Sequence, residues 1–141
     1  ERPKKEKILN FKTYYFGNIS NDEFLRKLYS SADVMVVPSK LESFGQTASE
    51  ALSCGTPVVA FDTSGLRDIV KHKVNGYLAK AFDSRDLANG IQWVLNAKDY
   101  DLLVTKSREI ATQNFDGNIV VQQYIRLYKK SINRIYESSN Y

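Results

Sequence analysis

The sequence is poor in the residues that most often hold metals or staple small folds. It has one cysteine, Cys54, and one histidine, His72, in 141 residues. A lone cysteine excludes an internal disulfide, which agrees with a reducing, cytoplasmic setting. One histidine and one cysteine also leave no set of side chains at metal-ligand spacing, so no metal is expected. No stretch approaches the ~18–20 apolar residues that span a bilayer. Residues 1–7 are mostly charged and no apolar run follows them, so no signal peptide is read. There is no internal repeat and no low-complexity linker. Neither Gly-x-Gly-x-x-Gly nor a P-loop pattern occurs, so the phosphate-binding turn that commonly opens a nucleotide-binding sheet is missing.

What is present is the composition of an ordinary globular domain: 43% hydrophobic and 26% charged, with a length that suits one domain. The formal net charge is +4. Such a balance suits nucleic acid, an anionic membrane surface or a phosphate-bearing small ligand. The basic residues form no single block: Lys4, Lys5 and Lys7 open the chain, and Lys129, Lys130 and Arg134 lie near its end. No nucleic-acid motif accompanies them, so a nucleic-acid partner is not expected. The basic ends leave room for peripheral contact with a membrane.

Strand-like and helix-like segments alternate, as in βαβ units around a parallel sheet. Thr13 to Phe16 is β-branched and aromatic and reads as a strand ending at Gly17-Asn18. Ser20 with Glu23 forms a capping-box pattern before a short helix carrying Phe24, Leu25, Leu28 and Tyr29. Val34 to Val37 reads as a strand buried on both faces and ended by Pro38. A loop to Phe44 leads to a helix from about Gly45 to Cys54, with Gly55 as its stop. Pro57 to Phe61 is the next buried strand, Leu66 to Val70 a short helix, and Asn75-Gly76 a turn into Tyr77 to Ala79. Asp83 and Ser84 are candidate caps for a helix through Leu95. Helices over about 100–113 and 116–136 follow. The second carries Ile119, Val120, Tyr124, Leu127, Tyr128, Ile132 and Ile135, whose default explanation is core packing. Four short strands are fewer than a free-standing doubly wound domain has, so the opening strands are expected to be absent.

Chemistry concentrates between Val36 and Leu78. In an open parallel sheet, ligands sit at the carboxyl ends of strands, where loops and helix starts converge. A helix beginning near Gly45 offers unpaired N–H groups and a partial positive charge to an anion. Gly45 has no side chain, so a phosphate can approach the backbone, and Thr47 adds a hydroxyl donor. Two carboxylates bracket this spot, Glu42 in the loop and Glu50 inside the helix, with seven residues between them. A carboxylate accepts two hydrogen bonds in a fixed plane, which suits a vicinal diol such as ribose.

This segment resembles the retaining, two-domain glycosyltransferases of the GT-B type known as glycosyltransferase family 4. Pro38, Ser39, Glu42, Phe44, Gly45, Glu50, Ala51, Gly55 and Pro57 to Ala60 match the family pattern around its two glutamates. Gly65, Asp68, Ile69, Val70, Asn75, Gly76 and Leu78 fit its downstream element, and a looser likeness runs from about Phe16 to Tyr128. The resemblance implies that residues 1–141 form one partial Rossmann-like donor-binding domain, the C-terminal half of a GT-B enzyme lacking its first strands, with helices over about 116–137 closing it. It implies transfer of a sugar from a nucleotide diphosphate to an acceptor hydroxyl of polysaccharide, lipopolysaccharide or glycolipid type, with retention and with no metal or other cofactor. Glu42 would orient the donor sugar at the reacting centre and Glu50 would bind the ribose. Ser43, Phe44, Gly45, Gln46 and Thr47 would line the diphosphate and sugar, the last four through backbone amides. UDP-sugars or GDP-sugars are the expected donors, and an acceptor-binding N-terminal domain is the expected partner. A cytoplasmic location, at the inner face of a membrane if the basic ends make contact there, would suit a lipid-linked acceptor.

The chain departs from the family in three places. The Arg and Lys that clamp the diphosphate have no match, because Lys4, Lys5 and Lys7 lie too close to the Phe16 segment. Position 46 is Gln where an apolar residue is usual, and position 64 is Ser where Gly is usual. Other residues read as structural: His72 as a surface residue, Arg67 as an ion-pair partner, Cys54 as packed on the sheet. Trp93, Tyr124 and Tyr128 read as core or domain-interface residues. Two rivals stay open: a module that binds a nucleotide sugar without catalysis, and a sugar-nucleotide epimerase of similar fold. The latter needs an acid–base set that His72 does not supply.

Overall fold

The computed structural model describes residues 11–138. Helix α1 (Asp22–Ser30) precedes β1 (Met35–Val37), α2 (Gln46–Ser53), β2 (Val58–Phe61), α3 (Leu66–Ile69) and β3 (Gly76–Ala79). Three helices complete the chain: α4 (Ser84–Leu95), α5 (Tyr100–Phe115) and α6 (Gly117–Ser138). The three strands are parallel in the order β1-β2-β3, with Val37 opposite Ala60 and Ala60 opposite Leu78. This is the Rossmann-like α/β layer expected from the alternation of elements.

The central strand explains the layering. All four residues of β2 are buried, because it has a strand on each side and a helix on each face. Val58 and Ala60 join Ala48, Ala51 and Leu52 of α2 in one core cluster with Leu66 and Ile69 of α3. Val59 faces the other way, toward Gly90 of α4. Helix α5 covers α2 from outside, and α4 lies on β2 and β3. Leu52, Leu66, Ile69, Val58 and Val59 are fully buried. Truncating such a side chain typically costs about 2–5 kcal/mol. The turn after α2 is closed by hydrogen bonds from Gly55 N–H to the Leu52 carbonyl and from Thr56 N–H to the Ala51 carbonyl. Asn75, fully buried, ties α3 to β3: its amide donates to the Ile69 carbonyl and accepts from Lys71 N–H.

Several expectations are corrected. Thr13 to Phe16 is not a strand: it pairs with no strand among the described residues, and Tyr14, Tyr15 and Phe16 are exposed. Strand propensity is a preference for a pleated neighbour; without one, Tyr14 stacks on Phe16 and Phe16 packs edge-on against Phe24 of α1. Among the described residues three strands therefore stand, one fewer than expected. The cap of α1 is Asn21, not Ser20, and its side chain accepts the Phe24 N–H at 2.7 Å. Glu23 instead pairs with Lys27 at 2.6 Å. Strand β1 is not buried throughout; only Val37 is, because β1 forms an edge of the sheet. The apolar positions of α6 are not core: Tyr124, Leu127, Tyr128 and Ile132 are more than half exposed, because α6 packs mainly against α5. The side chain of Ile135 lies outside the described residues. No described helix is long and apolar enough to cross a membrane.

Candidate functional site

Two loops leave the carboxyl ends of adjacent strands and meet. One runs from Pro38 to Gly45 after β1, the other from Asp62 to Gly65 after β2. They are stapled at Glu42: its N–H donates to the Ser64 hydroxyl at 3.0 Å, and its carbonyl accepts from Gly65 N–H at 3.1 Å. Ser64 sits at φ 41°, a conformation that glycine adopts more readily. Its side chain returns a hydrogen bond that glycine cannot make, which accounts for serine at this position. Gly65 admits no side chain here, because a Cβ would lie 2.6 Å from the Ser43 carbonyl oxygen. The Glu42 main chain is thus held on both sides, and the residue is half-buried.

Helix α2 starts from this junction. Gly45 precedes it at φ 89°, in the left-handed region. A Cβ there would meet Leu66 at 3.0 Å and Ile69 at 3.1 Å, so α3 packs directly on the glycine. The first amides of α2 that find a backbone acceptor are those of Ala48 and Ser49, both on the Gly45 carbonyl. No side chain caps the helix, and its first turn holds no Asp or Glu. The amides of Gln46 and Thr47 are therefore presented outward with the positive end of the helix dipole. Thr47 and Gln46 are exposed beside them.

Glu50, half-buried one turn further on, is held by two donors. The Tyr29 hydroxyl donates to its Oε2 at 3.1 Å and the Gln46 side-chain amide donates to its Oε1 at 3.1 Å. Tyr29 is 8% exposed. Burial, then the charge of Glu50 and the hydrogen bond to it, push the phenol up to about 12, so it remains a donor at any physiological pH.

Phe44, Gln46, Ser49 and Glu50 share a cleft of about 1350 Å³ with Asp22, Arg26 and Tyr29 of α1 and with residues of α6 such as Tyr124 and Leu127. Phe44 meets Phe115 edge-on at 5.5 Å along its wall. Among the described residues, Arg26 is the single cation lining the cleft. Of the residues named from the sequence, Phe44, Gln46 and Glu50 line this space. Ser43, Gly45 and Thr47 form the loop and helix start beside it, and Glu42 lies on the side of the second loop. In the sequence Tyr29 reads as one of the apolar positions of a short helix, and its hydroxyl has no assigned partner. The available signal was that a buried tyrosine requires a polar partner.

Arg67 and His72 do not line the cleft. Arg67 pairs with Asp62 at 2.7 Å. His72 is exposed and accepts the Leu78 N–H through Nδ1. Cys54 packs against the core and also borders the cleft. Among the described residues no group of three His, Cys, Asp or Glu side chains is placed to hold a metal ion.

The family described as glycosyl transferases group 1 matches residues 1–114. An uncharacterized glycosyltransferase of Methanocaldococcus jannaschii is 34% identical over 119 residues, covering 84% of this chain and 30% of that protein. A D-inositol 3-phosphate glycosyltransferase of Geodermatophilus obscurus is 48% identical over 77 residues, covering 55% of this chain and 17% of that protein. The chain thus spans less than a third of the length of these relatives. Among solved structures, sucrose-phosphate synthase of Thermosynechococcus elongatus superposes with a TM-score of 0.70 at 36% identity, over 79% of this chain and 28% of that one. Anabaena HepE, in complex with UDP and glucose, superposes with a TM-score of 0.67 at 30% identity, over 75% and 29%.

Proposed function

The chain belongs to the glycosyl transferases group 1 family, and on that premise we propose that it forms the donor-binding part of a retaining glycosyltransferase that uses a nucleotide-diphosphate sugar. The observation that carries the reading is the open start of α2, set at the carboxyl ends of the strands between Glu42 and Glu50. A departing diphosphate gains negative charge as the glycosidic bond breaks. The Gln46 and Thr47 amides and the helix dipole face that charge without reorganising, which favours the transition state over the ground state. Protein donors fill this role in the proposal; no metal step or cofactor is invoked.

Glu50 accepts the two ribose hydroxyls, and its position on the same helix fixes the distance from ribose to diphosphate. Glu42, its backbone held by Ser64 and Gly65, turns its carboxylate to the hydroxyls of the donor sugar and holds the anomeric carbon for attack by the acceptor. UDP and GDP are the donor nucleotides considered. That HepE was solved with UDP and glucose favours UDP. An acceptor-binding domain of the same protein would supply the other wall of the site. The acceptor hydroxyl belongs to a polysaccharide or lipid-linked sugar in this reading, with basic surface contact at a membrane.

Binding of UDP and GDP to the chain, measured by calorimetry, tests the proposal. One of the two should bind, and Glu50→Ala should weaken it at least about tenfold, the weight of a hydrogen bond to a charged group. In the full-length protein, Glu50→Ala should raise the donor KM and Glu42→Gln should chiefly lower kcat. Equal affinity of wild type and Glu50→Ala would overturn the ribose assignment.

A further inference from the structure

We propose that Tyr29 and Gln46 are positioning residues for Glu50, each fixing one carboxylate oxygen so that the remaining lone pairs meet a vicinal diol in one plane. The inference rests on the diol-binding reading of Glu50 and goes beyond it in assigning who orients the carboxylate. A glutamate has three rotatable torsions, and the last is broad and weakly restrained. Left alone, a half-buried glutamate on a helix would sample many orientations, and the entropy of stopping them would count against the ligand. Here both oxygens already have a donor, at 3.1 Å each. An ionised carboxylate offers about four lone-pair positions. Two are occupied by the protein, and two remain for a pair of adjacent hydroxyls.

The two donors are themselves held. Gln46 and Glu50 are one turn apart on α2, where side chains share a face. Tyr29 lies in the last turn of α1, and its carbonyl accepts the Thr56 hydroxyl at 2.7 Å, across the turn that closes α2. The far end of α2 therefore anchors the residue that reaches back to Glu50. Gln46 stands where the resembled family usually has an apolar side chain, and its contact with Glu50 gives that departure a use. All three residues line the same cleft.

A merely structural tyrosine would affect every ligand alike, so the test pairs the variants with ligands that lack the diol. Wild type, Tyr29→Phe and Gln46→Met are titrated calorimetrically with UDP, GDP and their 2′,3′-dideoxy counterparts. Tyr29→Phe and Gln46→Met should each weaken the ribose form of the nucleotide that binds by about three- to tenfold. Both substitutions keep the main-chain amides, so each should weaken the dideoxy form clearly less than the ribose form. Gln46 is exposed, so its variant keeps the test usable if Tyr29→Phe disturbs the packing of α1. Equal losses for both forms would overturn the positioning role while leaving Glu50 its diol. Wild type binding both forms equally would instead remove the diol reading itself, and the positioning role with it.

Discussion

Helices α2 and α4 both follow a strand of the sheet, yet they begin in opposite ways. Before α4, Asp83 accepts the N–H groups of Arg85 and Asp86, and Asp86 adds a negative charge to the first turn. Before α2, Gly45 offers no side chain, and the first turn holds neither Asp nor Glu. Asn21 and Asp99 cap α1 and α5 in the manner of Asp83. Capping contributes about 0.5–2 kcal/mol to a helix. At α2 that stabilisation is forgone at the point where two interstrand loops meet and two glutamates stand nearby. On the proposed reading, the donors left open at α2 are those that receive the anion, whereas side chains of the fold satisfy the starts of α1, α4 and α5.

Breaking the contrast at its strongest point means putting a side chain on Gly45. Gly45→Ala places a Cβ in the left-handed region and against Leu66 and Ile69. The backbone penalty and the overpacking together should destabilise the chain by about 2–4 kcal/mol in urea unfolding. Nucleotide binding should fall with it. A loss below about 0.5 kcal/mol would mean that the loop relaxes freely. Asp83→Ala attacks the other side of the comparison: a loss of about 1 kcal/mol is expected, with UDP or GDP affinity unchanged.

Thr47→Asp sharpens the contrast by separating stability from binding. An acid in the first turn of α2 should leave stability unchanged or raise it by about 0.3–1 kcal/mol through the dipole. The same charge should weaken a nucleoside diphosphate at least about tenfold, more at low salt than at high. Tighter binding would contradict a diphosphate at this helix start. The smallest effect concerns Tyr29. Its folded-state value of about 12 lies above the ordinary 10.0, so the folded chain holds the proton more tightly than the unfolded one. That contribution is complete below pH 10 and is lost as pH rises toward 12. Wild type should therefore lose more stability than Tyr29→Phe across this window, and parallel curves would show the phenol to be uncoupled from folding.

Much of this architecture is legible in the sequence because local signals agree with the fold. Asp83 caps α4, Gly55 closes α2, and the apolar run at Val58 becomes a strand buried on both faces. The segments that mislead depend on neighbours. Thr13 to Phe16 has strand propensity but no strand beside it among the described residues, and the apolar face of α6 stays largely exposed, with its main packing against α5. At the site, the spacing of Glu42 and Glu50 and the glycine at the helix start are visible in one dimension. The Ser64 and Tyr29 contacts are not, because they join residues 22 and 21 positions apart.

The central claim is that the open start of α2 receives a nucleoside diphosphate, and an amide NMR titration of the chain with UDP, GDP and their sugar conjugates tests it most directly. The account predicts that one nucleotide shifts the amides of Phe44 to Glu50 selectively, with Gln46 and Thr47 moving most, while the start of α4 at Asp83 to Asp86 stays still. Shifts scattered over the surface, or none at Gln46 and Thr47 at saturating nucleotide, would contradict it.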